Sequence, residues 1–518
     1  MRKGETVSVP AQVDGRLTHH PYLTFQRGKG LSFRLDGRLI RAYEGETVGA
    51  ALHAAGVRIL SRSVKYHRPR GLFCLTGNCP NCLMQVDGVP NVRACVEPVR
   101  EGMEVRTQTG WPSARFDAFA VLDSLGFLFP VGFPYRYFIR PRWLYHWWER
   151  LLRRASGQGV LLPTPRAQTG GRKVEASTDI AVVGAGPAGL AAALAAATAG
   201  VQVALIDEGA QPGGRLRADT ARYSAPQVYA GLRGNEIAER LTSSLSQASA
   251  VQVYSQATAF GYYEGGVLGV RQGERLVKLT ARRLIVATGA YENPLVADDW
   301  DRPGVFLATG AQRLLHLWGV RPGKAAVVIS TNDFGLAVAA QLVEAGIEVK
   351  AVADSRVRVN ETLAAVETLR ERGVPLLTLH TLKAAWGHPW VQGATVARVD
   401  ATGQPVSGTE LHVPCDTIVL ATGFSPANEL LFHATYKGSY VLEAAGTLTR
   451  VPYHEDDLSV EEGLYVAGDA AGIGDLEKAL LEGEIAGLSA ARSLGAGGTE
   501  AEDRREQARS ALAAKRET

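Results

Sequence analysis

The stretch Arg70–Cys95, RGLFCLTGNCPNCLMQVDGVPNVRAC, holds four of the five cysteines in a chain of 518 residues. The spacing is Cys74-x4-Cys79-x2-Cys82, with x12 before Cys95. Thiolates are soft metal ligands, and their crowding in a chain otherwise sparing of thiols points to one shared inorganic centre. A zinc site, a disulfide pair and unused core thiols are the rival readings. Zinc knuckles pair their ligands as two C-x2–4-C units, and only one such unit is present. The start, MRKGETVSVPAQVDG, has no apolar run of a secretory leader. A cytoplasmic location is therefore expected, where thiols stay reduced and structural disulfides are disfavoured.

The first three cysteines match the C-x4-C-x2-C loop of plant-type [2Fe-2S] ferredoxins. Two irons bridged by two sulfides need four thiolates converging on one small object. Three on a wrapping loop and a fourth from elsewhere meet that need, so Cys74, Cys79, Cys82 and Cys95 are the candidate metal ligands. Gly71, Gly77 and Asn78 stand where tight folding lets backbone N–H groups face the sulfurs. The flanks agree. LSFRLDGRLIRAYEGETVGAALHAAGV reads as strand, turn, strand and a helix entered at Glu46-Thr47, and CLMQVDGVPNVRAC as a hairpin turning near Asp87-Gly88. A β-grasp ferredoxin-like domain is expected over residues 20–110. Its short return to Cys95 resembles the iron–sulfur subunits of succinate dehydrogenase.

A second chemistry begins at DIAVVGAGPAGLAAALAAATAGVQVALIDEG. No charge lies between Asp179 and Asp207, a length that could span a bilayer. A strand, a glycine turn, an Ala-rich helix and a second strand fit the Gly-Pro break better, and no integral membrane segment is expected. In the Gly184-x-Gly186-x-x-Gly189 turn, Gly184 permits the bend, Gly186 leaves room for a pyrophosphate, and Gly189 lets helix and strand approach. Free N–H groups at the helix start favour phosphate, and Asp207 stands where it can accept from a ribose hydroxyl.

QPGGRL, RRLIVATGAYENP and GLYVAGDAAG follow in order and resemble the two-dinucleotide-domain flavoproteins that include glutathione and thioredoxin reductases. That resemblance implies FAD, with Asp469 bonding its ribityl chain. The candidate cofactor set is Gly184, Gly186, Pro187, Ala188, Gly189, Asp207, Glu208, Gly213, Gly214, Arg215, Thr288, Gly289, Gly468 and Asp469. GKAAVVISTNDFGLAVAAQLVEAGIEVKAVADSR repeats the βαβ rhythm with Ser330 and Asn332 where glycines should stand, and only Gly335 retained. Those side chains would crowd a pyrophosphate, so this unit is expected to keep the fold without NAD(P)H. The strand Asp416–Pro426 is expected to return the chain to the first nucleotide domain. Cys415 reads as a lone buried thiol, which excludes disulfide reduction.

At this length two to four domains are expected. The fold class is α/β: residues 20–110, a connecting segment 111–175, an FAD-type domain 176–305 and 416–495, an insert 306–415, and a tail 496–518 that reads as a solvated helix or a disordered end. A formal charge of +4 gives no sign of nucleic-acid binding. The aromatic, basic stretch Phe116–Gly159 reads as a buried strap between domains. THHPY and His316 read as surface and structural histidines, and no catalytic constellation is evident.

FPVGFPYRYFIRPRWLYHWWERLLRRASGQG, SRSVKYHRPRG and STNDFG…VADSR resemble α-subunits of heteromeric sarcosine oxidase, opine oxidase and dye-linked proline dehydrogenase, over about residues 25–490. The chain departs from true sarcosine oxidase α-subunits: the folate-linked half is missing, and the cluster cysteines, absent there, are kept. The resemblance implies an electron-transferring α-subunit of an amine or amino-acid dehydrogenase of the sarcosine, proline, hydroxyproline or opine type. It further implies a glycine-oxidase-like flavoprotein β-subunit that takes hydride from the substrate, small additional subunits, FMN at the interface, and electrons passing to this chain's cluster. FAD is the expected nucleotide, with NAD+ or ATP as alternatives in the same pocket. A self-contained NAD(P)H-dependent reductase and a non-catalytic nucleotide-binding scaffold are the competing functions.

Overall fold

The computed structural model describes residues 14–126, 132, 140–157, 159, 172–434, 440–442 and 450–517. The start read for a leader and most of the aromatic run 127–139 lie outside them. The chain divides into two compact units, Met1–Pro165 with Pro294–Thr422, and Arg166–Asn293 with Gly423–Thr518.

In the first unit β1 (Gly30–Leu35) and β2 (Arg38–Tyr43) pair antiparallel. Alternation puts Phe33, Leu35, Ile40 and Ala42 inward and Arg34, Leu39 and Arg41 outward. Asp36 and Gly37 both take positive φ at the turn, as a primed hairpin turn requires. Helix α1 (Val48–Ala54) is capped by Thr47, whose hydroxyl accepts from the Ala50 amide at 3.2 Å. The hairpin of β3 (Leu83–Val86) and β4 (Val89–Arg93) turns at Asp87-Gly88, and β5 (Glu104–Arg106) completes a five-stranded sheet of order β2-β1-β5-β3-β4. Helix α2 (Arg142–Ser156) follows. Trp143 and Trp147 on it are 70% and 60% exposed, and Trp111 and Phe116 are exposed too. These anchors therefore face outward, where a buried strap was expected.

The second unit opens with β6 (Lys173–Val183), α3 (Pro187–Thr198) and β7 (Val203–Ile206), and continues through β8 (Arg275–Val286). The chain then enters the inserted part of the first unit: β9 (Val305–Leu307), α4 (Ala308–Trp318), β10 (Ala325–Ser330), α5 (Asp333–Glu344), β11 (Glu348–Asp354), β12 (Leu376–Thr378) and β13 (Thr417–Ala421). These strands form a parallel sheet of order β9-β13-β10-β11-β12. The strand expected over Asp416–Pro426 is two. Thr417–Ala421 belongs to this sheet, Gly423 breaks the strand at φ +109, and Phe424–Pro426 pairs with Ala290–Glu292 in the second unit.

One core runs through the first unit, from Phe33, Ile40, Leu52 and Met84 to Phe306, Leu314, Leu315 and Leu336. Each such side chain contributes about 1.5–3 kcal/mol of burial. His20 and His316, both buried, pack ring to ring at 5.2 Å.

Back in the second unit, β14 (Leu464–Val466) joins β8 in parallel, beside β6 and β7. Helix α6 (Leu476–Arg492) lies on α3. A Cβ at Gly483 would meet the Ala188 carbonyl at 2.1 Å, and one at Gly487 the Ala192 carbonyl at 2.3 Å. The tail is α7 (Gly498–Glu517), which packs on α6. Arg505, Ala508 and Leu512 make a narrow buried stripe at helical spacing, and Arg504 pairs with Glu484 at 2.6 Å. The tail is thus a helix, largely exposed, with one narrow packed face. No described helix is long and apolar enough to cross a membrane.

Gly487→Ala is expected to cost about 1–3 kcal/mol through overpacking of α6 on α3. Urea unfolding followed by circular dichroism reads it, and an unchanged midpoint would deny the backbone contact.

Candidate functional site

The cysteine loop is built on the first unit's shared core. Cys74, Cys82 and Cys95 are buried, and Cys79 is half-buried. Gly49 in α1 has room for hydrogen only: a Cβ there would lie 2.9 Å from Leu72 and 3.0 Å from the Cα of Cys95. The returning strand thus comes close to the helix. The four thiols form one hydrogen-bonded set. Cys79 and Cys95 donate to Cys74, which holds its thiol far below the ordinary range, and Cys95 also donates to Cys82 and lowers it. Cys79 is raised by its bond to Cys74, and Cys95 by its bonds to Cys74 and Cys82. A multinuclear cluster needs four mutually close sulfurs with a ready share of thiolate, so the donor set fits iron and sulfide.

Backbone conformation makes that convergence possible. Leu75 takes φ +53 and Gly77 φ +81. The left-handed region suits Gly77, while for a fully buried Leu75 it stores about 1–3 kcal/mol of strain. The surroundings hold it there, since Arg313 on α4 donates Nε to the Leu75 carbonyl at 2.9 Å. Upstream, the SRSVKYHRPRG motif secures the approach. Arg62 donates to the carbonyls of Ala114 and His67, and His67 Nδ1 bonds the buried Asp117 carboxylate at 2.7 Å.

The glycine motifs of the second unit gather at the start of α3. A Cβ at Gly184 would meet the Ala287 carbonyl at 2.1 Å and the Thr288 amide at 3.1 Å. One at Gly189 would lie 1.7 Å from the Gly184 carbonyl, and one at Gly214 2.8 Å from the Gly186 Cα. At Gly468 it would touch Ala188 at 2.7 Å. Gly186 alone among these has nothing within 4 Å, so the backbone there is open to a close ligand. Gly186 is the N-cap and makes no side-chain cap bond, and Pro187 is the first helical residue. A pyrophosphate fits an open, positive helix end of this kind.

Around that opening, Asp207 accepts from the Ala185 amide at 2.6 Å and the Gly209 amide at 2.7 Å, with Glu208 exposed beside it. Gly213 takes φ +120. Thr288 donates to the Ala427 carbonyl, and Gly289 accepts from the Ala427 amide at 2.9 Å. Asp469 accepts from Arg215 at 2.5 Å and from the Gly474 amide at 3.2 Å, while Arg215 stacks over Phe424 at 4.4 Å.

The second βαβ turn is closed. Asn332 caps α5 by accepting from the Gly335 amide at 3.2 Å, and Ser330 Oγ donates to the Asn332 carbonyl at 2.8 Å. A Cβ at Gly335 would strike Ser330 Oγ at 2.5 Å. The acid ending β11, Asp354, is taken on both oxygens by Arg356, which also reaches Asp333 at 2.6 Å. The bonds to Asp354 hold the Arg356 guanidinium well above its usual range. Helix start and terminal acid, the two places a dinucleotide uses, are occupied by the chain itself.

Family models match both the cysteine loop and the nucleotide module. The family described as pyridine nucleotide-disulphide oxidoreductase matches residues 178–499. The chain belongs to that family. A 2Fe-2S iron-sulfur cluster binding domain matches residues 28–110, so an iron–sulfur domain precedes a nucleotide module of the FAD-binding type. The chain is 35% identical to the alpha subunit of sarcosine oxidase from Rhizobium meliloti (strain 1021), over 90% of this chain and 46% of that relative. It spans about half the length of that protein. It is 28% identical to one of the subunits of opine oxidase from Agrobacterium tumefaciens (strain Ach5), over 62% of this chain and 68% of that one. The solved L-proline dehydrogenase from P. horikoshii shares the fold, with TM-score 0.64 at 20% identity, covering 93% of this chain and 78% of that one.

The second unit holds no cysteine, since the five stand at 74, 79, 82, 95 and 415. Sequence reasoning missed Glu482, a fully buried carboxylate on α6 that accepts from the Gly468 amide at 2.9 Å and pairs with Lys478 at 3.4 Å. Its one signal is an acid amid the small and apolar residues of LLEGEIAGL. It also missed Arg313, whose partner lies 238 residues away.

Burial pushes the Cys415 thiol up to about 12. It is therefore protonated throughout the neutral range and is expected to resist iodoacetamide in folded protein at pH 8. Peptide mapping after alkylation checks this, and rapid labelling at Cys415 would contradict its burial.

Proposed function

We propose that this chain is the electron-transferring subunit of a heteromeric, flavin-dependent dehydrogenase or oxidase acting on a secondary amine or amino acid. The sarcosine, proline, hydroxyproline and opine types are the candidate substrate classes. A glycine-oxidase-like flavoprotein β-subunit would oxidise the C–N bond, with FMN at the shared interface and further small subunits bound. The observation that carries this reading is the pairing, in one chain, of a four-thiol loop and an open nucleotide turn with a closed second turn. A self-contained NAD(P)H reductase would need that second turn open. The relatives are themselves named as parts of larger enzymes, which supports a partner. So do Trp143, Trp147 and Leu151, an exposed apolar stripe bordered by Arg142, Arg150 and Arg153, which suits a protein surface with an acidic rim.

Cys74, Cys79, Cys82 and Cys95 would bind iron as thiolates, and loading would release the protons the thiols hold. Gly186 and the start of α3 would take the pyrophosphate of FAD, with NAD+ or ATP as alternatives, and Asp207 the adenosine ribose. Asp469 would turn from Arg215 to the ribityl chain, held in register by Glu482 through the Gly468 amide. When bound, the cluster supplies one-electron storage and the flavin supplies hydride and one-electron chemistry. The few cysteines, held here as thiols, support a cytoplasmic location.

Tagged chain purified anaerobically from its host is expected to bring a second flavoprotein in fixed ratio, and the complex to be bleached by an amine substrate. A chain that arrives alone and is bleached rapidly by NADH would overturn the proposal. Cys82→Ser is expected to reduce iron and acid-labile sulfide to background while leaving the bound nucleotide in place. Metal analysis and the absorption spectrum read the two separately, and full iron content in the variant would remove Cys82 from the ligand set.

A further inference from the structure

Three consecutive carbonyls of the cysteine loop face helix α4. The Leu307 amide, at the helix start, donates to the Phe73 carbonyl at 3.0 Å. At Gly310 the loop comes so near that a Cβ would lie 2.5 Å from the Phe73 oxygen and 3.1 Å from the Cys74 oxygen. Arg313 then donates Nε to the Leu75 carbonyl at 2.9 Å. Positions 307, 310 and 313 recur at a spacing that keeps them on one side of the helix. The residues between them are buried, and Arg313 itself is half-buried, with its guanidinium 5.9 Å from the Trp318 ring.

We propose that α4 is the electrostatic seat of the iron–sulfur centre, and that Arg313 is a positioning residue that raises its reduction potential. The inference rests on the reading that Cys74 is a cluster ligand. Reduction adds one negative charge to a [2Fe-2S] cluster, and net charge with hydrogen bonding around the sulfurs sets the potential. A guanidinium bonded one residue from Cys74 favours the reduced form. The positive end of α4 acts with the same sign. By holding Leu75 at positive φ, Arg313 also fixes the direction in which Cys74 points. The inserted βαβ unit, closed to a nucleotide at its own turn, thereby has a different task, which is to carry the helix that braces the cluster loop.

The test is a redox titration of full-length protein, anaerobically prepared and followed by electron paramagnetic resonance, with iron and sulfide measured on each sample. Arg313→Gln is expected to bind iron as the wild type does, with its midpoint potential shifted to more negative values and its g-values altered. A merely structural residue would lower thermal stability or occupancy and leave the potential of the loaded fraction where it was. Coincident potentials and g-values for loaded wild type and R313Q would overturn the inference while leaving the cluster reading intact. Wild-type protein without iron and sulfide would overturn both. Should R313Q lose its iron, Arg313→Met, which removes both the charge and the Nε bond and keeps a long side chain, is titrated in the same way. A moved potential or altered g-values would then support the assignment, and unmoved ones would end it.

Discussion

The carbonyls of Phe73 and Leu75 lie in the buried loop that brings the cysteines together, and a buried carbonyl needs a partner. Much of the first unit's organisation follows from meeting that need. The partners are protein groups, supplied by the start of α4 and by Arg313. A backbone can approach a helix this closely only where a side chain is missing, which is the situation of Gly310. The ferredoxin-like sheet and the inserted parallel sheet therefore share one apolar core, because the loop joining their chemistry is braced from both sides.

The same steric rule separates the two βαβ turns. At Gly184–Gly189, glycines let strand, helix and neighbouring loop come into backbone contact while Gly186 stays uncovered. At Ser330–Gly335, the side chains that replace glycine are used: Ser330 and Asn332 satisfy the turn and the helix start, and Arg356 neutralises the terminal acid. An oriented helix end is a general anion site, and the chain decides by one or two side chains whether it stays available. Asp469 shows an intermediate case. Its carboxylate is shielded and paired with a half-exposed Arg215, an ion pair that solvent screens and that a competing hydroxyl can displace.

What was legible in the sequence was whatever depends on short spacing. The C-x4-C-x2-C loop, the Asp-Gly turns at 36–37 and 87–88, the Thr47 cap and the glycine rhythm after β6 are each set within a few residues, so pattern and geometry are the same information. Elements whose fate depends on distant partners were not legible. Asp416–Pro426 read as one strand because β-branched and apolar residues dominate it, and only the parallel pairing of Thr417–Ala421 between β9 and β10 divides it at Gly423. The packed face of the tail was not visible in its sequence because charges outnumber the residues of that single buried stripe. The aromatic segment read as a buried strap because bulky side chains are usually anchors, yet Trp143 and Trp147 face outward.

By itself, then, the amino-acid order determined which residues are chemically equipped: the four thiols, the open glycine turn, and the side chains that close the second one. Tertiary structure alone decided what surrounds them. Arg313 reaches the cysteine loop and Glu482 reaches the Gly468 amide because helices formed elsewhere in the chain are packed there. Such approach is governed by the close packing of a whole core rather than by any local preference.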